Sequence, residues 1–133
     1  MILLDTHIWV RWLEPESDPL PARLVQIIDR SDSVGVSAVS CWEVAYLARR
    51  NRLALPLPVG EWLKSALDES GVISVPLTAN MALRAAGLED IHRDPADRFI
   101  IACALELGAS LVSLDRVFSE YQELSGVLVR ATV

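Results

Sequence analysis

Residues 94–115 read Asp94-Pro95-Ala96-Asp97-Arg98-Phe99-Ile100-Ile101-Ala102-Cys103-Ala104-Leu105-Glu106-Leu107-Gly108-Ala109-Ser110-Leu111-Val112-Ser113-Leu114-Asp115. Asp94 and Pro95 have the chemistry of an N-cap followed by proline at the first helical position, and Gly108 that of a C-terminal stop. Between them, Phe99 to Leu107 are apolar on nearly every face, broken only by Glu106. That pattern predicts a helix buried against a sheet, because a surface helix carries a polar stripe. Leu111-Val112-Ser113-Leu114 then predicts a strand. A buried helix delivered into a buried strand is half of a βαβ unit, and the rest of the chain supplies the other strands.

At the N-terminus, Ile2-Leu3-Leu4 has the continuous apolar character of a strand covered on both faces, and Asp5-Thr6 caps a short helix carrying Trp9, Val10 and Leu13. Pro15, Pro19 and Pro21 mark a loop; Leu24, Ile27 and Ile28 fall at helical spacing within residues 22–29, and Val34-Gly35-Val36 predicts a second strand. Helices are expected over 37–51 and 59–69, the latter stopping at Gly71, with a third strand at 72–75 and a helix from Thr78 through Gly87. Val127-Leu128-Val129 is the fifth strand. Strands alternating with helices imply right-handed crossovers, so the expected class is α/β: a three-layer α/β/α sandwich around a central, mostly parallel sheet of about five strands. With 133 residues, 52% of them hydrophobic, the chain suits one domain over residues 1–133 that buries roughly two-thirds of its unfolded surface.

Several classes drop out. No apolar stretch approaches the ~20 residues that span a bilayer, and the start lacks the basic flank of a signal peptide, so a cytoplasmic location is expected. Cys41 and Cys103 stand far apart without ligand spacing, which argues for small buried thiols over a disulfide or zinc site. Eighteen acidic against twelve basic residues give a net charge of −6, which opposes binding of nucleic acid by bulk electrostatic attraction.

In open α/β sheets the ligand crevice lies outside the carboxyl ends of the strands. Asp5 follows the first strand, Asp115 the fourth, Glu43 lies in the helix after the second, and Asp97 in the first turn of the buried helix. Carboxylates gathered at one edge repel each other unless a cation compensates, and a set of oxygen ligands without histidine or cysteine favours Mg²⁺ or Mn²⁺. Phosphodiester hydrolysis uses such a site. Each acid also has a structural role available to it. Asp5 can cap its helix, Asp94 and Asp97 complement the dipole of theirs, and Asp115 can start a short helix toward Tyr121, whereas Glu43 sits too far into its helix for a capping box. Four of the six net negative charges are accounted for by the proposed edge, so the acidity reads as localised.

Four blocks carry a resemblance: Leu3-Leu4-Asp5-Thr6-His7, Val36-Ser37-Ala38-Val39-Ser40-Cys41-Trp42-Glu43, His92-Arg93-Asp94-Pro95-Ala96-Asp97-Arg98 with the apolar helix after it, and Leu111-Val112-Ser113-Leu114-Asp115. In order and spacing they cover nearly the whole chain, which resembles a PIN-domain ribonuclease of the VapC type, the toxin half of a toxin–antitoxin pair. The resemblance implies that Asp5, Glu43, Asp97 and Asp115 are the catalytic acids that bind Mg²⁺ or Mn²⁺ for RNA cleavage. It places Thr6 and Ser113 as supporting hydroxyls, with Asp94 behind the ligands. It further implies products ending in 5′-phosphate and 3′-hydroxyl, a homodimer, and a VapB-like antitoxin whose C-terminal segment fills a groove near the site. Ala96 and Ser113 depart from the large apolar residue and the threonine common in the family, but neither change removes a carboxylate.

Arg49, Arg50 and Arg52 form the densest basic run, at a helix C-terminus where they offset the dipole or contact RNA or antitoxin. Arg11, Arg93, Arg98 and Arg116 stand near the site segments as phosphate-binding candidates, and Arg98 could instead pair with a cluster carboxylate. Trp9 is expected in the core and Trp12 at an interface, while Trp42 and Trp62 are expected in the core or facing an antitoxin, ahead of stacking on bases. His7 and His92 lack metal-pair spacing. Two other functions remain on these residues. One is a non-catalytic RNA- or partner-binding module that keeps the acids for folding. The other is an aspartyl-phosphate transferase with Asp5 as nucleophile, which Thr6-His7 and the isolated Lys64 serve poorly.

Overall fold

In the computed structural model, which describes residues 1–91 and 94–130, the apolar run at the N-terminus forms β1 (Ile2–Leu4) at the centre of the sheet. It is followed by α1 (Thr6–Leu13), α2 (Ala22–Asp29), β2 (Val34–Ser37), α3 (Ala38–Arg49), α4 (Val59–Lys64), β3 (Ile73–Val75), α5 (Ala79–Gly87), α6 (Pro95–Leu107), β4 (Ser110–Val112) and β5 (Leu128–Val129). All four strand pairings are parallel and the order across the sheet is β3-β2-β1-β4-β5. The expected three-layer α/β/α sandwich is therefore present, with every strand parallel.

Successive strand side chains point to opposite faces, and the two cores follow from that period. Leu3 and Leu111 face a core made with Met81, Ala85, Ile100, Ile101, Phe118 and Tyr121. Leu4, Val36 and Val112 face the other, filled by Ile8, Trp9, Leu24, Ile28 and Trp62. The Trp9 and Trp62 rings meet edge to face at 5.3 Å, which places both tryptophans in the core. In α6, Ile100 through Ala104 are completely buried, as the all-round apolar pattern predicts.

Local capping chemistry sets the helix boundaries. Asp5, Ser37, Thr78 and Asp94 accept from backbone amides in the first turns of α1, α3, α5 and α6, and Gly108 ends α6 in the left-handed conformation at φ 62°. Strand and helix ends elsewhere shift by one or two residues, and two differences from the sequence reading have a local cause. The helix expected over 59–69 is α4 followed by a π-helical turn over Ser65–Glu69. The fourth strand stops at Val112, because the Ser113 hydroxyl accepts the Asp115 amide at 3.1 Å and bends the chain out of the sheet. Among the described residues, no helix is long and apolar enough to cross a membrane.

Candidate metal centre

From β1 the chain winds through β2 to β3 on one side, then crosses to β4 on the other, so the sheet changes winding direction between β1 and β4. A crevice opens at the carboxyl ends of such a pair. Asp5 leaves β1 there and is 5% exposed. One of its carboxylate oxygens accepts the Ile8 amide at 2.8 Å, and the other accepts the hydroxyl of the fully buried Ser113, which follows β4. That second bond ties the two strand ends together across the switch point. Burial is the largest influence on Asp5 and pushes its pKa above the ordinary 3.8. The bonds from Ser113 and Ile8 and the charge of His7 oppose the rise, and the charge of Asp115 adds to it. Asp115 itself is exposed, and its carboxylate accepts the Val117 amide at 3.0 Å, starting a 3₁₀ turn over Arg116–Glu120.

Helices that return antiparallel to the strands bring further acids to the same edge. The C-terminus of α6 feeds β4, so its N-terminus lies at the carboxyl edge, where it packs beside α3. Glu43 from α3 and Asp94 and Asp97 from the start of α6 have ligand oxygens within 4.8 Å of one another. Glu43 is only 9% exposed, and its Oε1 is buried without a hydrogen-bond donor among the described residues. A buried carboxylate oxygen left without a partner carries a desolvation penalty that a cation would offset. The donor set is oxygen alone, which suits Mg²⁺ or Mn²⁺.

The acids thus form two groups: Asp5 with Asp115 at the strand ends, and Glu43 with Asp97 at the helices. Asp94, expected behind the ligands, joins the second group directly while one of its oxygens caps α6 through the Ala96 amide at 3.0 Å. The signal for this was in the sequence, since residues three apart share a helix face. Its adequacy as a cap concealed it. Thr6 donates its hydroxyl to Ser40 at 2.9 Å, joining the buried first turns of α1 and α3; Ser40 was not among the supporting hydroxyls expected from the sequence.

The arginines separate clearly. The Arg98 guanidinium donates to the carbonyls of Ala85, Leu88 and Glu89 at 3.1, 2.9 and 2.8 Å, fastening the end of α5 to α6. Carbonyls left over at a helix C-terminus attract a cation, and that attraction draws the Arg98 guanidinium to the end of α5. Arg11 is held by Asp18 and the Pro19 carbonyl. Arg49, Arg50, Arg52 and Arg116 are exposed, as is His7. Trp42 is 57% exposed on α3, because its helix face lies outside both cores, so of the two places expected for it the core is ruled out. Trp12 is half-buried and donates to Asp29 at 3.2 Å. Arg93 and His92 lie outside the described residues. Cys103 is buried, its thiol pushed up to about 11 by desolvation, and Cys41 is half-buried and raised for the same reason.

A profile described as PIN domain matches residues 2–124. Ribonuclease VapC22 from Mycobacterium tuberculosis (strain ATCC 25618 / H37Rv) is 37% identical over 116 residues, 86% of this chain and 87% of that one. Among solved structures, VapBC2 from Rickettsia felis bound to a fragment of promoter DNA aligns at a TM-score of 0.70 and 18% identity, over 98% of each chain. A toxin–antitoxin complex from Klebsiella pneumoniae aligns at 0.66 and 16%, over 97% of this chain and 96% of that one.

Proposed function

The chain belongs to the PIN-domain family, and on that footing we propose that it is a divalent-metal-dependent endoribonuclease of the VapC toxin type, a single domain over residues 1–133 that acts on cytoplasmic RNA and is neutralised by a VapB-like antitoxin. One observation carries the reading: Glu43, Asp94 and Asp97 converge within 4.8 Å, with Glu43 Oε1 buried and lacking a donor. Glu43 and Asp97 would hold Mg²⁺ or Mn²⁺ with Asp94 beside them, and Asp5 and Asp115 would complete the acidic edge directly or through water. When bound, the cation supplies Lewis acidity toward water and counter-charge for the phosphodiester. Ser113 and the Ile8 amide fix the orientation of Asp5, and each of its oxygens keeps a further lone pair for the site. The Thr6–Ser40 bond fixes the helix starts from which Asp5 and Glu43 project.

Two features support the antitoxin assignment. Relatives of this fold were solved as a toxin–antitoxin complex and as VapBC2. A cavity of about 360 Å³ beside α1 and α3, walled by Thr6, Val10, Arg11, Leu47 and Leu53, can take the C-terminal segment of such a partner. The homodimer rests on family likeness.

RNA cleavage in Mg²⁺ or Mn²⁺ by wild type, Asp5→Asn and Asp97→Asn tests the reading. Loss on the order of 100-fold or more is expected in both variants, and equally in wild type with EDTA. Undiminished cleavage by both variants overturns it. Tight Mn²⁺ binding without turnover on any RNA pool would instead assign a non-catalytic binding module. Sequencing the product ends tests for the 5′-phosphate.

A further inference from the structure

Beside the acidic group, α3 presents two aromatic rings to solvent. Trp42 and Tyr46 are one helical turn apart, 57% and 39% exposed, with ring centroids 5.1 Å apart and planes inclined by 24°. The Arg50 guanidinium lies 4.9 Å from the Tyr46 ring centroid, a turn further on. The stack is therefore pre-ordered, with a cation at one end. At its other end Trp42 walls a mostly apolar cavity of about 260 Å³ with Val39, Asp94, Pro95, Ala96 and Phe99. Asp94 belongs at once to this cavity and to the acidic group, so whatever rests on Trp42 is adjacent to the candidate metal centre.

Exposed aromatic rings are a loss in water unless a ligand covers them, and the position of these restricts the choice of ligand. A chain with a net charge of −6 gains little from the phosphate backbone at large, so affinity for RNA has to come from a few local contacts. Stacking of bases on aromatic side chains supplies such contacts without sequence readout, and every unpaired base has a face to offer. Arg50, with the exposed Arg49 and Arg52 near it, then meets phosphates leading away from the site. From Trp42 to Arg50 the helix rises about 12 Å, a length that admits a short run of nucleotides.

We propose that the Trp42–Tyr46 stack, ended by Arg50, is a nucleobase platform that seats an unpaired RNA segment next to Glu43, Asp94 and Asp97. This rests on the ribonuclease reading for its ligand, and a binding measurement separates the two. The probe is a fluorescein-labelled single-stranded RNA octamer of mixed sequence, titrated in EDTA so that no cleavage occurs, with a matched set carrying one abasic position each. Trp42→Ala is expected to weaken binding by roughly 5- to 100-fold, with Trp42→Phe close to wild type. One abasic position should lose affinity in wild type and lose no more in Trp42→Ala, since ring and base act as a pair. If Trp42→Ala binds every octamer as wild type does, the proposal fails. Sedimentation of the same variants supplies the competing outcome: loss of self-association with an equal affinity drop at every abasic position would assign the face to a second copy of this chain and overturn the platform. Base-specific binding without any cleavage in Mn²⁺ would keep the platform while sinking the nuclease.

Discussion

Asp5 ends a strand, caps a helix and faces the acidic edge, and these roles pull on its charge in opposite directions. Two donors stabilise the carboxylate, yet burial outweighs them and holds the pKa above 3.8. The folded chain therefore binds the Asp5 proton more tightly than the unfolded chain does. Stability from this group is fully present below about pH 3.8 and falls as pH rises through that value to the raised one. Asp5→Asn keeps an acceptor for Ile8 without the buried charge. In EDTA it should melt above wild type at neutral pH, by a margin that closes below about pH 4 in thermal scans. Added Mn²⁺ should stabilise wild type and narrow the gap. A variant that melts lower at every pH would mean the hydrogen bonds outweigh the burial. The candidate ligands Asp5, Asp97 and Asp115 could be named from sequence because each stands next to an element end that local patterning defines, and Glu43 because it lies in the helix that follows the second strand. Asp94 was legible only as a cap.

Elements meet through contacts that neither pattern nor capping predicts. Arg98 reaches back from α6 to three carbonyls at the end of α5, a fastening between helices that pack along the same sheet face. Arg98→Ala should lower the unfolding free energy by about 1.5–3 kcal/mol in urea melts, with RNA affinity in EDTA unchanged. A drop in affinity without a drop in stability would return Arg98 to the RNA-binding set. At the β2–β3 edge of the sheet, β2 approaches β3 closely at Gly35, paired with Ile73. A Cβ built there lies 3.3 Å from the Ile73 carbonyl oxygen. Both neighbours of that contact are backbone in a parallel ladder, so relief requires the strands to part. Gly35→Ala is expected to destabilise by about 1–2 kcal/mol, measured by the same melts, despite the entropy the substitution removes from the unfolded chain.

Over the whole molecule, an excess of negative charge coexists with a proposed RNA substrate because the negative charge is concentrated where a cation is proposed to sit. Of the arginines near the site segments, Arg11 and Arg98 are already engaged, and Arg49, Arg50, Arg52 and Arg116 are exposed to meet phosphate. Binding of the RNA octamer in EDTA should accordingly show a log–log salt slope of about −2 or shallower, some two or three phosphate contacts. A slope near −5, read from anisotropy between low and moderate salt, would require a basic surface that the described residues do not provide. By itself the sequence determined the strands, the buried α6 and the helix caps, and pointed to the candidate acids, because periodicity and capping are decided among residues within a turn or two of each other. The tertiary structure alone decided which acids meet, that Arg98 turns to α5, and that Trp42 is exposed. Those outcomes depend on the β3-β2-β1-β4-β5 order and on how α3 packs against α6, which bring together side chains whose separation along the chain carries no local signal.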